Sequence, residues 1–287
     1  MGFQIKTVQC LSPSGLHTIA YKEWGDPSNP KVLICVHGLT RVSDDFDALA
    51  SALEHEYRVV CPDVVGRGRS SWLAQAQSYQ IPQYVSDMVT LLARLNANTV
   101  DWFGTSMGGL IGLGLAAMKD NPIRKLLLND VGPALNFEAL QRIGEHVDQD
   151  TRFDTFAEAL KYIRDISASF GPHTDAQWEK LARDVLIQDE NGKWKRHYDL
   201  KLSIPVKATT AEVAAAGQAM LWAMYDAITC ETLVVRGAES DLLSHDTVLQ
   251  MAQRGPRAKS VEIAGVGHAP TFVQAEQIAI ASEFFLN

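Results

Sequence analysis

Ser106 sits in Val100-Asp101-Trp102-Phe103-Gly104-Thr105-Ser106-Met107-Gly108-Gly109, which runs on into Leu110-Ile111-Gly112-Leu113. A short apolar run, then small and apolar residues, predicts a buried strand turning into a helix around G-x-S-x-G. In that pattern the serine occupies a tight strand-to-helix turn. Gly104 and Gly108 allow neighbouring backbone to pass close to the turn. The turn presents Ser106 Oγ at a helix N-terminus, where backbone N–H groups favour an anion. The N–H of Met107, the residue after the serine, is the expected first oxyanion donor.

A serine hydroxyl is a weak nucleophile at neutral pH and needs an adjacent base. His268, in Gly265-Val266-Gly267-His268-Ala269-Pro270, is the best placed histidine, in a loop before the last helical stretch. His17, His55, His146, His173, His197 and His245 fall in segments that the strand-end argument does not place at the site. A base of this kind needs a carboxylate to orient it and to stabilise its protonated form. Asp63, Asp130, Glu239 and Asp241 each follow a strand-like run. Any of them not so used is explained by a helix cap or an ordinary surface carboxylate.

The elements that must position these groups alternate. Phe3 to Cys10 and Leu16 to Trp24 read as a hairpin around Ser12-Pro13-Ser14-Gly15. Val32 to Val36 is a continuous apolar run, the mark of a strand buried on both faces, and Tyr57 to Cys61, Val100 to Phe103 and Lys125 to Asn129 are mainly apolar runs that read as further buried strands. Helical spacing separates them, as in Tyr84, Val85, Met88, Leu91, Leu92 and Leu95. From Ala134 to Tyr225 helical stripes continue without a parallel strand, and Asp189 to Arg196 reads as a charged turn around Asn191-Gly192. Strand–helix order resumes at Thr232 to Val235 and Ser260 to Ile263. The predicted fold is α/β: about eight mostly parallel strands with helices on both faces, residues 1–133 and 226–287 forming the core. Residues 134–225 are expected to be an inserted helical cap. Ligands of such sheets bind at the carboxyl ends of the strands, where the serine, the acids and the histidine all fall.

Composition narrows the class. The chain has 287 residues, is 46% hydrophobic and 21% charged, and carries a net charge of −8. That balance argues against a nucleic-acid partner, which wants a basic footprint. The longest apolar run, Met107 to Met118, contains four glycines and is too short to span a bilayer, and no secretory signal opens the chain. Cys10, Cys35, Cys61 and Cys230 show no ligand spacing and read as free thiols. The expectation is a cytoplasmic protein with no metal, cofactor or membrane partner, either monomer or homodimer.

The order of serine, acid and histidine, with His37-Gly38, Asp63-x-x-Gly66-x-Gly68-x-Ser70, Gly104-x-Ser106-x-Gly108 and Gly265-x-Gly267-His268, resembles the α/β-hydrolase superfamily over nearly the whole chain. Arg236-Gly237-x-x-Ser240-Asp241 is similar to the family's acid turn. The resemblance implies a Ser106–His268–Asp241 triad, with Asp130 as the alternative acid, and Leu39 N–H as the second oxyanion donor. His37 is expected to shape the oxyanion loop and, with Arg41, is a substrate-binding candidate. Arg41 could bind a substrate carboxylate, although a salt bridge with Asp44 or Asp45 is the plainer reading.

Serine at the turn excludes family branches that need an aspartate there for an alkyl-enzyme intermediate. The expected activity is that of a serine carboxylesterase acting on small to medium acyl esters. Lactone, thioester or C–C bond hydrolysis and perhydrolysis use the same triad. From other classes, a cofactor-free dioxygenase or a ligand-binding receptor retains the fold. The Phe, Trp and Met residues of the helical block would either line an acyl pocket or pack the block onto the core.

Overall fold

Strand-forming runs with no polar residue must be covered on both sides, and the sheet meets that requirement. The structure, a computed structural model, describes residues 2–287; Met1, the first residue of the expected core segment, lies outside them. Eight strands form one sheet: β1 (Gln4–Ser12), β2 (Gly15–Trp24), β3 (Val32–Val36), β4 (Arg58–Pro62), β5 (Val100–Thr105), β6 (Ile123–Asn129), β9 (Glu231–Gly237) and β10 (Lys259–Ile263). Their order is β1-β2-β4-β3-β5-β6-β9-β10. β1, β2 and β4 pair antiparallel, and every pair from β4 to β10 is parallel.

Successive strand residues point to opposite faces, and the core divides accordingly. Ile34, Val60, Trp102, Leu126 and Val234 lie in one apolar cluster, with Met88 and Leu91 of α2 (Ile81–Leu95) and Ile111 of α3 (Met107–Ala116). Leu33, Cys35, Val59, Phe103, Leu127 and Val235 lie in the other, with Leu49 and Leu53 of α1 (Asp47–Leu53) and Phe284 and Phe285 of α10 (Ala275–Leu286). Each fully buried side chain of this kind contributes roughly 1.5–3 kcal/mol. Cys10, Cys35 and Cys61 are buried free thiols, and Cys230 is half-buried. No helix among the described residues is long and apolar enough to cross a membrane.

Between β6 and β9 the chain leaves the sheet. It forms α4 (Phe137–Val147), α5 (Phe156–Ile166), α6 (Asp175–Val185), α7 (Ser203–Lys207) and α8 (Ala211–Asp226). Thr155 with Glu158, and Thr174 with Gln177, make capping boxes that start α5 and α6. The stretch is not wholly helical. β7 (Leu186–Gln188) and β8 (Trp194–Arg196) form an antiparallel hairpin around the Asn191-Gly192 turn. Three-residue strands are too short to show a period of two, so only the turn was legible in the sequence. α9 (His245–Met251) completes the core between β9 and β10.

Candidate functional site

The register of the central strands brings the expected groups to one edge. Thr105 pairs with Asn129, and Asn129 with Val235, so the residues that follow β5, β6 and β9 emerge side by side. Ser106 N donates to Asn129 O at 2.9 Å, and Asp130 N to Val235 O at 2.7 Å. Ser106 has φ 50°, a left-handed conformation that a non-glycine residue adopts at a cost of about 1–3 kcal/mol. The neighbouring glycines permit it. A Cβ on Gly104 would stand 2.3 Å from Gly108 O, and one on Gly108 would stand 2.0 Å from Val36 O.

His268 bridges the serine and one carboxylate. Its Nε2 lies 2.9 Å from Ser106 Oγ, and its Nδ1 lies 2.7 Å from Asp130 Oδ2. An ionised carboxylate only accepts, so Nδ1 carries the proton and Nε2 is left to accept from the serine hydroxyl. Asp130 is fully buried, and its other contacts fix it: Gly237 N donates to Oδ1 at 2.8 Å and Ser240 Oγ to Oδ2 at 2.6 Å. Charge-assisted bonds of this kind are among the stronger ones in proteins.

Asp241, the acid first expected, is elsewhere. It is half-exposed and forms an ion pair with Arg142 of α4. The reason is positional. β6 is the immediate neighbour of β5, whereas Asp241 lies four residues beyond the end of β9, out on the rim. The β9 turn that resembled an acid turn instead supplies donors, Gly237 and Ser240, to Asp130. Asp63 is buried under Ser43 N and Arg69 N, and Glu239 is exposed.

The loop after β3 flanks the serine. A Cβ on Gly38 would lie 3.8 Å from Ser106 Cβ, and Leu39 and Met107 line the same cavity as Ser106. His37 is fully buried and lines neither of the two cavities that reach Ser106. Its Nε2 accepts from Val64 N at 2.9 Å, so its Nδ1 donates to Gly38 O at 2.7 Å. Burial holds the imidazole down at about 4, which keeps it neutral. Its place is that of a brace between the loop after β3 and the end of β4. Arg41 is committed to Asp45 by two hydrogen bonds, with Nε at 2.8 Å and Nη2 at 2.6 Å.

Arg67 was only a variable position in the sequence motif, yet it lies under this loop. The side chain is fully buried, its Nε donates to Leu39 O at 2.7 Å, and its Nη2 lies 3.2 Å from Met107 Sδ. No carboxylate among the described residues forms an ion pair with it. Only burial, which sequence does not display, distinguishes this arginine from a surface one.

Two cavities meet at Ser106. One, of about 790 Å³, is apolar and runs beneath α4, α7 and α8, between Leu110, Val131, Phe137, Ile204 and Leu221. The other, of about 490 Å³, is lined by His268, Arg41, Arg142, His146, Arg196 and Asp241. Leu39, Ser106 and Ile143 border both. Phe137 faces the apolar cavity, whereas Trp178 and Trp222 are buried in packing contacts. The helical segment also braces the histidine loop. Gly267 N donates to Ser169 O at 2.6 Å, and Ser169 Oγ to His268 O at 2.8 Å.

A hydroxyl, an imidazole and a buried carboxylate thus stand in line at the carboxyl edge of a parallel sheet. A family model described as alpha/beta hydrolase fold matches residues 31–275, and the chain belongs to that family. It is 59% identical over 281 residues to a 3-hydroxybutyrate-oligomer hydrolase of Cupriavidus necator, covering 97% of this chain and 96% of that protein. It is 27% identical over 274 residues to Esterase Rv0045c of Mycobacterium tuberculosis, covering 90% and 82%. A crystal structure of an alpha/beta hydrolase from Novosphingobium aromaticivorans superimposes with a TM-score of 0.87 at 34% identity, covering 100% and 99% of the two chains.

Proposed function

We propose that this protein is a serine esterase that hydrolyses short oligomers of 3-hydroxybutyrate, with Ser106, His268 and Asp130 as its catalytic triad. The observation that carries the reaction is the line from Ser106 Oγ to His268 Nε2 and from His268 Nδ1 to Asp130, at the junction of two cavities. The substrate class rests on the Cupriavidus necator relative, which matches almost the whole chain.

Ser106 Oγ attacks the ester carbonyl while His268 Nε2 takes its proton. The carbonyl oxygen becomes an oxyanion between the N–H groups of Leu39 and Met107, each such donor being worth about 10²–10³ in rate. The C–O bond to the alcohol half then breaks, and His268 returns the proton to that oxygen. Water, deprotonated by His268, attacks the acyl-enzyme and releases the carboxylic acid and Ser106. Asp130 orients the imidazole and stabilises its protonated form. Residues 134–225 act as a cap that covers the serine and closes the apolar cavity over the acyl half.

The discriminating experiment supplies the purified protein with 3-hydroxybutyrate trimer, β-butyrolactone, a butyryl thioester, p-nitrophenyl butyrate and insoluble polymer. Trimer is expected to give the highest kcat/KM. Preference for the lactone or the thioester would assign the same residues to a different substrate.

A further inference from the structure

The proposed substrate is asymmetric in a way that the two cavities match. In a linear 3-hydroxybutyrate oligomer every ester joins an acyl half ending in a hydroxyl to an alcohol half ending in a free carboxylate. The alcohol oxygen must receive its proton from His268, and His268 lines the smaller and more polar of the two cavities, not the apolar one. The alcohol half therefore leaves through that cavity, and its carboxylate goes with it.

The lining of the polar cavity suits such a group. Three guanidinium groups, of Arg41, Arg142 and Arg196, face two carboxylates, of Asp165 and Asp241, in a chain whose net charge is −8. Two of the three are already committed. Arg41 is held by Asp45 and by Leu181 O, and Arg196 donates to His146 O and Gln149 O. Arg142 differs: it is half-exposed, and its partner Asp241 is an equally exposed carboxylate on the rim. Exposed pairs of this kind are weak, about 0–1 kcal/mol, and exchange readily for another carboxylate.

Building on the esterase reading, we infer that Arg142 binds the terminal carboxylate of the alcohol half, with Asp241 as the anion that occupies it when substrate is absent. The arrangement selects oligomers with a free carboxyl end and places the scissile ester near that end. It also gives Asp241 a place at the site distinct from that of the triad acid.

Binding tests this independently of turnover. Ser106→Ala protein is titrated calorimetrically with 3-hydroxybutyrate trimer and with its methyl ester, which replaces the terminal charge by a neutral group one methyl larger. The free acid is expected to bind about tenfold more tightly, the size of one charge-assisted interaction. Arg142→Gln in the same background should abolish that preference, and Asp241→Asn should enlarge it. Added salt should shrink it. Equal affinity for acid and methyl ester, or a preference that survives Arg142→Gln, would overturn the inference. Failure of the unsubstituted enzyme to hydrolyse the trimer would instead overturn the proposed function, and the binding comparison would still decide the carboxylate site.

Discussion

His268 Nδ1 lies 2.7 Å from Asp130 Oδ2, and Asp130 leaves β6 with φ 55°, so that its side chain turns back under the histidine. The contact joins residues 138 positions apart in the chain. Its other supports, Gly237 N and Ser240 Oγ, come from the turn after β9. Two strand ends thus cooperate in holding one carboxylate.

Asp130→Asn leaves an amide where the imidazole needs an anion and favours the wrong tautomer. It is expected to lower kcat by about 10⁴. Asp241→Asn should leave kcat for a neutral ester such as p-nitrophenyl butyrate within about threefold, because the side chain is a half-exposed partner of Arg142. Steady-state kinetics of the two variants on that ester separate the acids.

Chain order favours Asp241 over Asp130 as the carboxylate beside His268, and the structure puts Asp130 there. Asp130 and Asp241 both follow an apolar run, and both precede His268 in the chain. Chain order does not report which strand end adjoins β5. Adjacency does, and it belongs to the sheet order β5-β6-β9. The serine turn, by contrast, was legible because its requirements are local: an apolar strand, two glycines in close approach and a helix of small residues. His268 was legible because few histidines follow a strand at the right end of the chain. Arg142 and Arg196 lie on elements far apart in sequence, and only the folding of α4 and β8 over the core brings both to one cavity.

Arg67 is expected to act on the oxyanion loop. Its guanidinium holds Leu39 O and contacts Met107 Sδ, the two residues whose N–H groups would face the oxyanion. Arg67→Met should lower kcat by about 10–100-fold, less than loss of a direct donor, with little change in KM. Affinity for a boronic acid, which forms a tetrahedral anion on Ser106, should fall in parallel. Affinity for a neutral ester measured on Ser106→Ala protein should not.

A buried imidazole and a partly buried carboxylate set opposing pH responses of stability. His37 sits down at about 4, so the unfolded chain gains a proton below about 6.5 that the fold refuses, and stability is lost from there toward pH 4. Asp184, pushed up to about 6 chiefly by burial, does the reverse. The fold keeps a proton that the unfolded chain releases above about 4, so stability rises as pH falls through 6. Asp184→Asn removes the second response. Its melting temperature, followed by calorimetry between pH 7 and pH 4, should therefore fall more steeply with acidification than that of the unsubstituted protein.

The most direct test of serine chemistry is Ser106→Ala assayed on 3-hydroxybutyrate trimer, with folding checked by circular dichroism. The expected result is a loss of about 10⁴–10⁶ in kcat, with the trimer still bound. A folded Ser106→Ala protein that kept a tenth or more of the trimer turnover would contradict acyl transfer through Ser106.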